Sequence, residues 1–231
     1  MNEFKIIKYQ GYCFGTRIDL TDLHCRQLVH LFQQPSEPEK SILGGRTSIM
    51  ETFLEPIGDV IIKKYKRGGL VRFFNNETYL NLGNIRCKTE YQQMDHAYQL
   101  GIQVPKVVAY AYTGGLFYKG WLITEKIQNQ QTLAGLSMAD PARAQSASIA
   151  LLDQISILMD NHVFHQDLHP GNVLVTDKDE VFIIDFDKAI HYNGSRPDLA
   201  SRYLKRWKRA VTKYNLPGIL SGILEKGLEP R

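Results

Sequence analysis

No run in this chain approaches the ~18–20 consecutive apolar residues that a membrane-spanning helix needs, and Met1-Asn2-Glu3-Phe4 lacks the apolar core of a secretory signal. Cysteine is scarce: Cys13, Cys25 and Cys87 are widely spaced and odd in number. That excludes a disulfide framework and a zinc cluster, and fits free thiols in a reducing cytoplasm. No aromatic or groove-reading motif accompanies the basic residues, so nucleic acid is not an expected partner. What is present is an ordinary globular composition, 43% hydrophobic and 23% charged over 231 residues. That length suffices for one large domain, or for two small lobes sharing a cleft. The net charge of +4 is modest but concentrated. Lys63, Lys64, Lys66, Arg67 and Arg72 form one basic stretch, and Arg202, Lys205, Arg206, Lys208, Arg209 and Lys213 form another. Such clusters suit phosphates, whether of a nucleotide, a nucleic acid or an anionic membrane.

The most informative stretch is His165-Gln166-Asp167-Leu168-His169-Pro170-Gly171-Asn172, followed by the apolar run Val173-Leu174-Val175. A second run, Val181-Phe182-Ile183-Ile184, ends in Asp185-Phe186-Asp187. In a phosphotransferase catalytic loop an Asp accepts or orients the proton of the attacking hydroxyl. An Asn five positions later reaches Mg²⁺, and the Asp opening a D-F-x motif holds the metal that bridges the nucleotide phosphates. Asp167, Asn172 and Asp185 stand in that order. The turn-forming residues 176–180 predict a hairpin that folds the base and the two metal ligands into one small space. A bare His-x-Asp with an Asn beyond it also occurs in solvated turns. The strand-turn-strand context and the distant Asp-Phe-Asp favour a kinase-type site. His165 is expected to anchor the loop backbone, His162 to be structural, and His169 has no assignable chemistry.

Upstream, Phe4 to Tyr9 reads as a strand and Leu20 to Phe32 as a helix capped by Thr21 or Asp22, with a linker over Gln33 to Lys40. Gly44-Gly45-Arg46 resembles a glycine turn between strands, where bare backbone amides can approach phosphates; a plain hairpin turn would look the same. Asp59-Val60-Ile61-Ile62-Lys63 matches the strand whose Lys pairs with nucleotide phosphates. Alternation puts Ile61 and Lys63 on one face, and Val60, Ile62 and Lys64 on the other. If Ile61 lines the adenine pocket, Lys63 is the phosphate ligand and Lys64 is solvated. Tyr79 to Leu100 is predicted as a helix stopped by Gly101, and it carries Glu90 where a kinase needs a carboxylate to orient the strand lysine. A solvated Glu is the plain alternative. Val104 to Tyr110 and Trp121 to Thr124 read as strands, and Glu125-Lys126-Ile127 as the hinge whose backbone would meet adenine. Gln128 to Met138 is polar and turn-rich. A helix from Asp140-Pro141 to about Asn161 buries Ile149, Leu152, Ile155, Leu158 and Met159. After Asp187 only 44 residues remain, with no Ala-Pro-Glu sequence. That leaves no room for a long activation segment and argues against protein substrates. The basic helix Leu199 to Tyr214, with Leu204, Trp207 and Val211 on one side, either packs that stripe or meets an anionic lipid-linked substrate.

With these residues in place, the chain resembles the lipopolysaccharide kinase family over roughly residues 41–215. The resemblance rests on Gly44-Gly45-Arg46-Thr47, Lys63-Lys64-Tyr65-Lys66-Arg67-Gly68-Gly69-Leu70, Glu90 with Leu100-Gly101-Ile102-Gln103-Val104-Pro105, Gly115-Leu116-Phe117-Tyr118, Leu122-Ile123-Thr124-Glu125-Lys126-Ile127 and Ile184-Asp185-Phe186-Asp187-Lys188. It implies an α+β, bilobal protein-kinase-like fold, with a small β-rich N-lobe carrying one main helix and a mainly helical C-lobe. Residues 1–127 would form the N-terminal extension and nucleotide-binding lobe, and 128–231 the catalytic lobe. It further implies transfer of the ATP γ-phosphate, with Mg²⁺, to a hydroxyl (the 4-position) of 3-deoxy-D-manno-octulosonic acid (Kdo) on lipid A precursor. The place would be the cytoplasmic face of the inner membrane, with peripheral membrane contact. Asp167 would be the base, Asn172 and Asp185 the metal ligands, and Lys63 with Glu90 the phosphate-binding pair. Gly44, Gly45, Arg46, Glu125 and Ile127 would hold the nucleotide, and Lys66 and Arg67 the acidic acceptor. One departure is Asp167-Leu168-His169-Pro170-Gly171-Asn172, where the family carries Asp-Leu-Asn. The His-Pro-Gly-Asn form is closer to small-molecule phosphotransferases, which leaves a heptose-directed or small-molecule acceptor open.

Overall fold

Strands dominate the first half of the chain and helices the second, in a computed structural model that describes residues 3–34, 48–65, 78–81 and 83–228. The class is α+β, with 44% helix and 28% strand. The described residues fall into two units, within Met1–Gln92 plus Lys106–Lys126 and within Gln93–Pro105 plus Ile127–Arg231.

The first unit begins with a hairpin, β1 (Lys5–Tyr9) and β2 (Tyr12–Thr16). Its two-residue turn, Gln10-Gly11, has both φ angles positive (47° and 79°), the geometry whose twist matches paired strands. Helix α1 (Asp22–Gln33) follows, and Thr21 is its N-cap through a side chain that accepts from the His24 N–H. Then come β3 (Ser48–Leu54), β4 (Gly58–Lys64), β5 (Tyr79–Leu80), α2 (Arg86–Gln99), β6 (Val107–Gly114) and β7 (Phe117–Glu125). The strands form one antiparallel sheet in the order β1-β2-β6-β7-β4-β3, with β5 pairing β7. One face is covered by α1: Leu28, Val29 and Phe32 meet Phe14, Val60, Ile62, Trp121 and Ile123. The Phe32 and Trp121 rings stack at 4.3 Å. Each such side chain, fully buried, contributes about 1.5–3 kcal/mol. This packing decides the register of β4. Val60 and Ile62 face α1, so Ile61 and Lys63 emerge on the opposite face.

Helix α2 starts later than its polar-apolar pattern predicts. Tyr79-Leu80 is drawn off as β5, in register with Tyr118 and Phe117. Asn81 Oδ1 then accepts from the Gly83 N–H at 3.1 Å, and Gly83 takes φ +94°, which breaks any helix there. The stop is where the sequence puts it. Gly101 has φ +86°, with Ile102 N–H donating to Ala97 C=O and Gly101 N–H to Tyr98 C=O, a glycine-terminated helix end.

The second unit is built on α4 (Pro141–Asp160), capped by Asp140, whose Oδ1 accepts from the Arg143 N–H. Before it, the stretch predicted as a polar boundary folds into β8 (Gln130–Thr132) and α3 (Leu133–Ala139). Thr132 caps α3 and its partner strand supplies the pairing, two features a composition count does not register. After α4 come β9 (Val163–Phe164), a 3₁₀ turn (Pro170–Asn172), β10 (Val173–Thr176), β11 (Val181–Ile183), β12 (Ile190–His191), α5 (Arg196–Lys213) and α6 (Ile219–Leu228). The buried stripe of α4 differs from the predicted one. Ile155, Leu158 and Met159 are buried, but the first half uses Ala144, Ala147 and Ser148, while Leu152 is half-buried and Ile149 is 52% exposed. Small residues there let neighbouring elements approach closely, and Ile149 lies off that face. Gln154 is the polar tie. Its Oε1 accepts from the Gln103 N–H at 2.9 Å, its Nε2 donates to Val181 C=O at 2.7 Å, and Gln103 C=O accepts from Ile183 N–H.

Gln154→Leu leaves the Gln103 N–H and the Val181 C=O unpaired inside the protein and should destabilise by about 2–4 kcal/mol in urea unfolding. Ile149→Ala should change stability by no more than about 0.5 kcal/mol. Equal losses in the two variants would contradict this account of the core.

Candidate functional site

In the second unit the hairpin forms as its sequence predicts. Val173, Leu174 and Val175 pair with Ile183, Phe182 and Val181, and Thr176 Oγ1 closes the turn by accepting from the Lys178 and Glu180 N–H groups. One further bond extends the register beyond the strands: Ile184 N–H donates to Asn172 C=O at 3.0 Å. Ile184 C=O in turn accepts from His165 Nε2 at 3.0 Å. Held on both sides, Ile184 delivers Asp185 in a left-handed conformation, φ +67°. Asp is one of the few non-glycine residues that tolerate it. The imidazole doing this is fully buried and burial lowers its pKa, so it is neutral and carries its proton on the nitrogen facing Ile184. Its ring also meets Phe186 edge-on at 4.5 Å.

The loop itself is pinned from α5. Tyr203 Oη accepts from the His165 N–H and donates to Val163 C=O, both at 2.9 Å. Asn172 Nδ2 donates to Asp167 C=O at 3.0 Å, which commits the amide nitrogen to the loop backbone. His169 has a role that its position in the sequence did not reveal. Its Nδ1 accepts from the Gly171 N–H at 3.1 Å and caps the 3₁₀ turn that ends at Asn172. Burial, then the Arg206 charge, lower its pKa to about 4, which keeps Nδ1 available as an acceptor. Beyond Asp187 the chain turns at once, Ala189 N–H to Phe186 C=O, into β12, which pairs with β9. Only Lys188 and Ala189 separate Asp187 from β12.

The Asp167 carboxylate is bracketed by cations. Arg206 Nε donates to Oδ1 at 3.0 Å, Arg206 Nη2 donates to the same oxygen, and Lys188 Nζ donates to Oδ2 at 3.1 Å. Burial pushes the carboxyl upward, but these bonds and charges prevail and hold it at about 2. Asp167 is therefore ionised at neutral pH, a state able to accept a proton.

In the first unit Lys63 Nζ donates to both oxygens of Glu90 at 2.8 Å, and the Tyr65 hydroxyl donates to Oε2. Glu90 is 1% exposed, and a carboxylate so buried is tolerable only when fully partnered. Lys63 retains 19% exposure. Lys64, expected in solvent, is instead buried at 5% exposure, because it continues the Val60–Ile62 face of β4. The Glu125 and Lys126 N–H groups donate to Lys106 C=O and Asp59 C=O, and Ile127 follows them in the chain.

The structure thus joins Lys63 with Glu90 in one unit and Asp167, Asn172 and the Asp185 segment in the other. Gly44, Gly45, Arg46, Lys66 and Arg67 lie outside the described residues. From sequence, Arg206 is one member of a basic cluster, Tyr65 and Lys188 sit inside family-like stretches without a role of their own, and Tyr203 carries no signal. Alternation does place Tyr65 on the Lys63 face, and Lys188 directly follows Asp-Phe-Asp. Nothing linear shows that Tyr203 and Arg206, one turn apart on α5, face the loop. Asn172 and Asp185 present an amide and a carboxylate, oxygen donors of the kind Mg²⁺ takes when phosphates and waters complete its shell.

Within the second unit, an ionised Asp167 carboxylate stands in one loop with Asn172, and a backbone bond ties that loop to the segment opened by Asp185, the order of groups that phosphotransferases use. The family model for lipopolysaccharide kinases (Kdo/WaaP) matches residues 36–217, and the chain belongs to that family. It is similar to a 3-deoxy-D-manno-octulosonic acid kinase of Vibrio parahaemolyticus, at 31% identity over 158 residues, covering 66% of this chain and 66% of that protein. The Vibrio cholerae protein of the same name is 30% identical over 155 residues, covering 66% and 65%. One from Vibrio vulnificus is 26% identical over 187 residues, covering 77% and 76%. The chain thus spans just under two thirds of the first two relatives' lengths.

Because the folded chain refuses a proton at His169 until about pH 4, while the unfolded chain accepts one near 6.5, stability should fall with pH across that window. His169→Asn keeps a capping oxygen and removes the titration. Its unfolding free energy should drop less between pH 7 and 5 than that of the parent, as read by urea melts. Equal drops would exclude His169 as the source.

Proposed function

We propose that this chain is an ATP- and Mg²⁺-dependent sugar kinase of bilobal protein-kinase-like fold. Residues 1–127 would form its nucleotide-binding lobe and 128–231 its catalytic lobe. Its substrate would be Kdo on a lipid A precursor, phosphorylated at the 4-hydroxyl by a protein bound peripherally to the cytoplasmic face of the inner membrane. The observation that carries this reading is the bond from Ile184 N–H to Asn172 C=O, which draws together the base loop and the segment opened by Asp185. Family membership and the relatives' printed name support the acceptor.

In this reading Asp167 takes the proton of the acceptor hydroxyl as its oxygen bonds the γ-phosphorus. The bond from that phosphorus to the β–γ bridging oxygen breaks, and ADP leaves with the electron pair. Because such transfers depend on positioning and charge neutralisation, a base with a pKa near 2 suffices. A bound Mg²⁺ would neutralise phosphate charge. Asn172 and Asp185 supply its protein oxygens, Lys63 binds phosphate oxygens, and Glu90 with Tyr65 aims Lys63. Gly44, Gly45 and Arg46 would bind the nucleotide phosphates, the Glu125–Ile127 backbone would meet adenine, and Lys66 and Arg67 would meet the acidic acceptor.

Purified protein with Mg²⁺ and Kdo-bearing lipid A precursor should consume ATP, and Asp167→Ala should lower kcat by about 10²–10⁴-fold. Turnover on heptosylated core alone would move the acceptor outward along the core, and no turnover on either would favour a small-molecule acceptor. Arg67→Glu should raise the acceptor KM more than the ATP KM. Equal effects on both would remove Arg67 from the acceptor site.

A further inference from the structure

Alone among the Lys and Arg residues of α5, Arg206 is half-buried rather than exposed. Arg202, Lys205, Lys208 and Arg209 all point outward, whereas Arg206 is drawn to Asp167 and its side chain keeps 25% exposure. It is also rigidly seated. Tyr203, one turn earlier, is locked to the loop at Val163 and His165, and Trp207, the next residue, is buried with Nε1 donating to Leu220 C=O at 3.1 Å.

Lone pairs and protons can be counted. A carboxylate offers about four acceptor positions. On Asp167, Oδ1 receives two N–H groups from Arg206, and Oδ2 receives one from Lys188. The open position is on Oδ2, and an attacking hydroxyl must take it. A guanidinium carries five N–H donors. Arg206 uses two on Asp167, which leaves three on a guanidinium anchored to the base itself. An arginine fixed in this way, with donors in hand and its charge already drawn next to the base, is suited to a planar anion carried by the acceptor itself.

We propose that Arg206 is the specificity-determining residue of the acceptor site: it binds the acceptor's carboxylate and sets the hydroxyl against Asp167 Oδ2, so that an acidic sugar is selected over a neutral one. This rests on the sugar-kinase reading above. It assigns one residue of the basic helix to the acceptor and leaves that helix's outer cations out of substrate recognition.

The test uses a soluble glycoside of 3-deoxy-D-manno-octulosonic acid and the same glycoside with its carboxylate converted to a carboxamide, with the full chain, Arg206→Met and Arg206→Lys. The parent should favour the acid over the amide in kcat/KM by at least about 30-fold, the range seen when a bidentate charged contact is lost. Arg206→Met should bring the ratio to near one by raising the KM for the acid, with the ATP KM unchanged. Arg206→Lys should retain part of the preference. Calorimetric binding of the acid without nucleotide should weaken in parallel, and binding of the amide should not. Loss of Asp167 alignment alone would lower kcat on both acceptors and leave the ratio intact, and that result overturns the proposal. So does a parent that does not distinguish acid from amide. A parent that turns over neither glycoside and binds neither overturns the sugar-kinase reading itself.

Discussion

The buried imidazole of His165 governs the geometry of the second unit. Its Nε2–H bonds the carbonyl of Ile184 while the Ile184 N–H bonds Asn172, so one residue's backbone is gripped from both sides. Directly after that grip the chain turns through a positive φ at Asp185. The carbonyl it bonds favours the charged ring, but burial disfavours that form more strongly and leaves the imidazole neutral. The loop on the other side depends on the same histidine, because its backbone N–H donates to the Tyr203 hydroxyl.

Charge is handled in opposite ways at the two carboxylates. Glu90 is almost wholly buried, and a bare carboxylate there would be prohibitive. Two Lys63 contacts and the Tyr65 hydroxyl make it tolerable, and in return they fix the lysine in one rotamer. Asp167 is only partly buried, and there the surrounding cations overcome the desolvation that would protonate it. One pair fixes the direction of a cation; the other keeps an anion ionised.

Most of this was legible in the sequence where the signal is local. The hairpin, the Gly101 stop, the helix start at Asp140-Pro141 and the placing of Lys63 on the face of β4 opposite Val60 and Ile62 all follow from short-range rules. The misjudged elements involve partners distant in the chain. Tyr79-Leu80 left the helix because β7 was there to pair with it, and β8 formed because β10 was. Lys64 and Ile149 were misjudged for a related reason. Side-chain type predicts burial only when the covering element is known: Lys64 continues the buried face of β4, and Ile149 stays half exposed. His169 escaped because a capping imidazole has no spacing signature, and Arg206 because only the phase of α5 turns it inward.

That phase is set at one point. Ser195 caps α5 by accepting from the Asp198 N–H, and the helix runs unbroken from there through Tyr203, Arg206 and Trp207. Each residue advances an α-helix by about 100°. A single insertion or deletion between the cap and Tyr203 would therefore rotate the loop anchor, the cation beside Asp167 and the indole away together, and bring solvent-facing lysines and arginines in their place. Length in that stretch is as tightly constrained as identity in the loop it supports, whereas the outer face of the same helix can vary in composition without disturbing the phase.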